Sequence, residues 1–310
     1  MKKSFQIFLI IALALSGCQR QPSGPKENGT AGRILVKGSD SALRLMDREA
    51  QAFNAIYLQA TVAVSGGGSK AGIIALNDGT ARIAVLTREI TPDEDSIIGL
   101  NHGKVDGYRI AFDGLTVIVN KQNSVQRLTF AQLERIFSGA VSDWSAVGGS
   151  GGAIHIALPA ENLGANEQFR KAVMKGQPYS GKVHPCTTNV QIVEAVQQHA
   201  NALGLVAYPA LYRSWDEWPP APQTGIKAVA VGLSSASGFA LPNQKTINDG
   251  SYPLVRPVYL YVNDTVERQL EAAGGSLAHG FITFVSSAEG QRLVAKQGFV
   301  PATMPVVIKQ

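Results

Sequence analysis

Residues 60–87, ATVAVSGGGSKAGIIALNDGTARIAVLT, leave little freedom in what the chain can build. Val62 and Val64 alternate as in a strand, and Ile83 to Leu86 form a second apolar run that ends in Thr87. Between them, Ser65-Gly66-Gly67-Gly68-Ser69 breaks the first strand. Ile73, Ile74 and Leu76 then carry a short helical face that stops at Asp78-Gly79. Glycines at a strand-to-helix corner let backbone approach a ligand closely, while the first helical amides point outward unpaired. Those amides and the helix dipole favour an anion. The same corner occurs earlier, with Ile34-Leu35-Val36 as the strand and Gly38-Ser39-Asp40-Ser41 as the turn. Two hydroxyl-bearing corners point to a small-ligand site. As bare pattern they fit ordinary tight turns between strand and helix equally well.

The chain has 310 residues, 45% hydrophobic and 16% charged, which is globular and long enough for two cores. Its 32 glycines suit many short turns between strands and helices. Formal charge is +5, and removing a leader that holds Lys2 and Lys3 leaves +3. The basic residues are dispersed, with no polybasic run and no interleaved aromatic stripe, which argues against nucleic acid as a partner. No segment after the first 17 residues is long and apolar enough to span a bilayer.

Lys2 and Lys3 form a charged start, Phe5 to Leu15 an apolar core of signal-peptide length, and Leu15-Ser16-Gly17-Cys18 the end. Small residues directly before a cysteine resemble the bacterial lipobox, which implies lipidation of Cys18 after removal of residues 1–17. A plain secretory leader with an incidental Cys18 is the alternative. Residues 18–32 read as a flexible polar tether. Gln19 after the cysteine favours an outer-membrane anchor where the source has one. The remaining Cys186 has no partner for a disulfide within the folded part, and reads as a buried or idle thiol. His102, His155, His184, His199 and His279 show no spacing suited to a metal or a catalytic triad. No cofactor, metal or catalytic set is read; a phosphatase using Ser39 or Ser69 with a histidine base rests on residue types alone.

In chain order, the sequence predicts a first strand over 33–37 and a helix from Ser41, capped by Asp40 or Ser41. A strand-rich stretch over 105–120 follows, with Asp113-Gly114 as a turn or bulge. A helix capped by Thr129 comes next, then a strand over 154–158, a helix around Phe169, another over 190–199 and a strand over 203–208. Residues 212–225, with Trp215 and Trp218, read as a surface excursion. Strands return at 227–231 and 254–262, and one helix over 281–295 closes the chain. Strands alternating with helices argue for parallel sheets covered on both faces.

Several segments together resemble the phosphate-binding proteins of bacterial ABC importers, the PstS-like group of type II periplasmic binding proteins. They are Gly38–Ser41, Ser65–Ser69, Asp113–Asn120, Ile136–Trp144, Gly204–Tyr208, Tyr252–Tyr261 and Glu289–Pro301. The resemblance implies an α/β, two-domain type II periplasmic-binding-protein fold with a hinge of two crossing strands, here Leu115–Asn120 and Val255–Val262. Domain 1 is then discontinuous, 33–112 plus 256–310, and domain 2 is 113–255. It also implies a ligand-binding set of Ser39, Asp40, Ser41, Gly68, Ser69, Thr87, Arg88, Asn162 and Gly164, holding phosphate or a related small oxyanion. The partners implied are importer membrane subunits and, through Cys18, a membrane. The chain would work as a lipid-anchored monomer in the periplasm or at the cell surface.

One stretch departs from the family pattern. Phosphate binders carry an arginine and then Ser-Gly-Thr leading into a helix, whereas this chain has Pro159 for the arginine, Leu163 for the serine and Ala165 for the threonine. Three donor side chains are gone, and Glu161 is added nearby. That loss motivates a second reading: a lipoprotein of the same fold that has abandoned phosphate and serves as a sensor or scaffold for another ligand or an envelope protein.

Overall fold

The structure, a computed structural model, describes residues 27–100, 103–161, 163–179, 183–211 and 225–303. Cys18, the leader, Asn162, Trp215 and Trp218 lie outside the described residues.

The first domain opens with β1 (Ala31–Gly38), α1 (Asp40–Ile56), β2 (Gln59–Ser65), α2 (Ser69–Asn77), β3 (Ile83–Leu86) and α3 (Pro92–Leu100). Alternating apolar residues in β1 and the 3.6-residue stripe of α1 bury Ile34, Val36, Leu45, Met46 and Phe53 together. β4 (Val105–Asn120) then leads into the second domain. There the order is β5 (Arg127–Thr129), α4 (Phe130–Phe137), β6 (His155–Pro159), α5 (Gly164–Ala172), β7 (Val183–Cys186), α6 (Asn189–Gln198), β8 (Ala202–Ala207), β9 (Ile226–Ala228), β10 (Ala230–Gly232) and α7 (Gln244–Asn248). β11 (Val255–Asn263) returns to the first domain, followed by α8 (Asp264–Ala273), α9 (Leu277–Ser286), α10 (Ala288–Lys296) and β12 (Val300–Pro301).

The main sheet runs β2-β1-β3-β11-β4-β8-β6-β7. It is mixed, not parallel throughout as the strand–helix alternation predicts. β1 pairs β2 and β3 in parallel, and β6 pairs β7 and β8 in parallel. β11 is antiparallel to β3 and β4, and β4 is antiparallel to β8. The reason is that β4 and β11 are long return strands and not the strands of compact βαβ units. One half of β4, up to Gly114, pairs with β11, and from Leu115 to Val119 it pairs with β8. A single strand therefore belongs to the sheets of both domains. Separate apolar cores lie on either side, one around Phe53, Phe281 and Phe284, the other around Phe137, Trp144 and Phe169.

Four further local expectations change. α1 begins at Asp40 with Ser39 as its N-cap, one residue ahead of the predicted start. β4 runs unbroken through Asp113-Gly114, where the sequence predicts a turn or bulge; a Cβ on Gly114 would lie 2.8 Å from Ile247 Cδ1, so the glycine serves close packing. The predicted closing helix is two helices. Ser287 caps α10 by accepting from the Gly290 amide, and a Cβ on Gly290 would lie 2.5 Å from the Phe284 and Val285 carbonyls. Residues 27–32 are docked and not a free tether, since Ala31 starts β1, Glu27 accepts from Arg82 Nη1 at 3.1 Å, and Gly29 lies against Gly280.

Candidate functional site

Three helix N-termini meet where the two domains touch: α1, α2 and α5. Gly38 allows the first corner, because at φ 152° its absent Cβ would fall 2.0 Å from the Val85 carbonyl. Ser39 is thereby held against β3, its amide donating to Val85 O at 2.8 Å. The Gly68 amide donates to Gly38 O at 3.0 Å, which brings the glycine-rich corner alongside. Asp40 Oδ1 accepts from the Gly67 amide at 3.1 Å and so fixes that loop.

The hydroxyls of this corner form one network. Ser39 Oγ lies 3.1 Å from Thr87 Oγ1, and the Thr87 amide lies 3.4 Å from Ser69 Oγ. Arg256 Nη1 donates to Thr87 Oγ1 at 3.1 Å, while its Nε donates to Asp113 Oδ2 at 2.8 Å and Nη2 donates to that same oxygen. Both Arg256 and Asp113 are fully buried. Burial pushes the Asp113 carboxyl above its ordinary range, opposed by the Arg256 guanidinium and the amides of Gly114 and Tyr208. An arginine can only donate, so Thr87 Oγ1 is an acceptor there. The arrangement that uses each proton once then runs from Thr87 to Ser39 Oγ, which releases the proton of Ser39 at the cavity wall and that of Ser69 just behind it, beside Gly164. Hydroxyls whose acceptor sites are already satisfied, beside unpaired helix amides, suit an anion.

The helix caps agree. Thr129, Thr188, Asn243, Asn263, Ser276 and Ser287 all cap their helices with side chains, whereas Ser39, Gly68 and Leu163, heading α1, α2 and α5, give no side-chain cap. Only the helices that meet at the cleft are left with this capacity among those with a described cap.

Gly164 brings the second domain in. A Cβ there would lie 2.8 Å from both Ser69 Oγ and Thr87 Oγ1, so only glycine permits this approach. A second contact spans the cleft at Arg88, which is buried to 6% exposure. It gives Nη1 and Nη2 to Glu94 at 2.8 and 2.7 Å and Nε to Glu167 of α5 at 2.7 Å. Burial alone would lower the Arg88 guanidinium, but Glu94 and Glu167 outweigh it and hold it above its ordinary value. Burial would likewise raise Glu94; Arg88 and the Thr91 amide overcome that and hold it below the ordinary carboxylate value.

A cavity of about 590 Å³ opens beside these groups. Ser39, Asp40, Ser41 and Gly164 line it, as do Pro159, Leu163 and Ala165. Ser69 and Thr87 stand behind its wall, within the hydroxyl network, and Gly68 heads α2 beside them. Arg88 is spent on two carboxylates. Cys186 lines the cavity too, and burial pushes its thiol up. Among the described residues no cluster of histidine, cysteine and carboxylates suits a metal ion, although His155 and His199 stack at 5.9 Å on the surface. No helix among them is long and apolar enough to cross a membrane.

Sequence reasoning passes over Arg256, Asp113, Glu94 and Glu167. Their one advance signal is a charge inside an otherwise apolar strand, Arg256 in Val255–Val262, which demands a buried partner without saying where.

A family model for the PBP superfamily domain matches residues 23–289. The chain belongs to the PBP superfamily. Within it the chain is PstS-like. It is 25% identical over 304 residues to the phosphate-binding protein PstS of Pseudomonas aeruginosa, covering 93% of this chain and 88% of that one. It is 29% identical over 297 residues to PstS of Staphylococcus saprophyticus, with the same 93% and 88% coverage. An ABC-type phosphate transport receptor from Vibrio cholerae superposes with a TM-score of 0.68 at 25% identity, over 87% of this chain and all of that one. The matched span of the PBP superfamily member includes both strand-to-helix corners and both long return strands.

Proposed function

We propose that this chain is the solute-binding protein of an ABC importer, that it takes a phosphate-group anion between its domains, and that lipid on Cys18 anchors it outside a bacterial membrane as a monomer. The observation that carries the reading is a set of donors at one corner: the Ser39 hydroxyl in the cavity wall and the Ser69 hydroxyl just behind it, backed by Thr87 and Arg256, at helix N-termini without side-chain caps. Names of the PstS relatives point the same way. In this reading 33–112 with 256–310 moves against 113–255 about β4 and β11, and the importer recognises the closed form. Arg88 and Gly164 act as closure contacts, and Asn162 is a ligand-binding candidate from the second-domain side.

The second reading, a lipoprotein of this fold turned to another ligand or an envelope protein, draws on Pro159, Leu163 and Ala165 in the cavity wall. Thermal unfolding of the chain from Gln19 onward separates the two. At fixed ionic strength, a phosphate compound at about a hundred times its dissociation constant adds roughly 2.7 kcal/mol. A raised midpoint with inorganic phosphate or a phosphate ester, absent with chloride, supports the transport reading. No shift with any phosphate compound rejects it.

A further inference from the structure

The cleft is larger than inorganic phosphate requires. Its volume of about 590 Å³ falls in the range of sites for small organic ligands, roughly 300–1,000 Å³. From Ser39 and Gly164 it extends past Leu43, Val190, Val193, Pro209 and Ala210. Arg44 and Arg48 also line it, matched in number by Asp40 and Asp47, so the charged residues of the whole lining sum to zero.

The second-domain wall tells the same story. Inorganic phosphate presents four terminal oxygens, each needing donors once dehydrated. Here one side of the cavity is Pro159, Leu163 and Ala165, none of which has a side-chain donor. A bridging ester oxygen carries no formal charge and accepts weakly, so it can face a wall whose donors are only the backbone amides at the start of α5. The opposite side keeps the hydroxyls and amide donors that three terminal oxygens need.

We infer that the ligand is a phosphate monoester whose uncharged, largely apolar substituent fills the outer cavity between α1 and α6. This rests on the reading of the cleft as a phosphate-group site, and the test separates the two.

Calorimetric titration of the chain from Gln19 onward compares phenyl phosphate with inorganic phosphate at one pH and ionic strength. The inference expects phenyl phosphate to bind at least tenfold more tightly. Val190→Trp, at a position 39% exposed on the cavity rim, should erase that preference while leaving inorganic phosphate unchanged. Leu163→Ser with Ala165→Thr restores two donors and should move the preference toward inorganic phosphate. Equal or tighter binding of inorganic phosphate by the unmodified chain overturns the inference and leaves the phosphate-group reading standing. Binding of neither compound overturns both. If Val190→Trp does not fold, the wild-type ratio and the double variant decide.

Discussion

Arg256 and Thr87 are 169 positions apart, yet Arg256 Nη1 reaches Thr87 Oγ1 at 3.1 Å from within a strand that returns between the domains. Its register partner on β4 is Asp113, which takes the other face of the same guanidinium. The long return strand and the first strand-to-helix corner thus share one side chain. Tyr252, just ahead of β11, adds a hydrogen bond to Leu115 O at the point where β4 changes sheets.

Arg256→Met should destabilise the protein by about 3–5 kcal/mol, because Asp113 would be left as an uncompensated buried charge. Adding Asp113→Asn should recover part of that loss. Urea denaturation of the single and double variants measures both, and equal stability of the two would contradict the pairing.

Gly164→Ala places a methyl where Ser69 Oγ and Thr87 Oγ1 stand 2.8 Å away. Under the proposed closure, overpacking of about 1–3 kcal/mol falls on the closed arrangement and weakens ligand roughly 5- to 150-fold. The midpoint of unfolding without ligand should hardly move. Titration and thermal unfolding, done together, show whether the two effects part in this way.

Glu167→Gln removes one carboxylate from Arg88 across the cleft. The side chain is 38% exposed, so the loss in stability should stay within about 0–1 kcal/mol. Ligand dissociation should quicken a few-fold and lose some of its dependence on salt. Acid acts on the neighbouring Arg88–Glu94 pair within the first domain. Glu94 is held below its ordinary value of 4.5, so its contribution is present above that value and is lost as pH falls through the depressed one. Chemical denaturation at pH 7 and at pH values below 4.5 reads this directly.

Glu49 is buried on α1 with neither carboxylate oxygen partnered, and burial, then Glu289, push it up to about 9. A raised carboxyl gives stability that is whole below its unfolded value of 4.5 and declines as pH rises toward about 9. Glu49→Gln should therefore gain on wild type between those limits, by up to about 1.4 kcal/mol per pH unit. Chemical denaturation at pH 5, 6.5 and 8 measures the slope. A difference independent of pH would contradict the buried, neutral form.

Local chemistry made much of this legible in advance. The two glycine corners, the Thr129 cap and the apolar run of β3 are properties of adjacent residues, and they stand where the sequence puts them. The network behind the site was not legible, because Arg256, Asp113, Thr87 and Ser39 meet only through sheet register. Arg88 reads in sequence as a ligand donor, and only the fold brings Glu94 and Glu167 to its fork. The break at Ser287 was hidden inside a continuous helical pattern.

The most direct test is calorimetric titration of wild type and Ser39→Ala with inorganic phosphate and phenyl phosphate at fixed ionic strength. Loss of one hydrogen bond to a charged ligand is worth about 1.5–3 kcal/mol, so Ser39→Ala should bind the preferred compound roughly 10- to 150-fold more weakly, with one site per chain in wild type. Undiminished binding by Ser39→Ala, or no binding of either compound by wild type, would contradict an anion site built on the first helix corner.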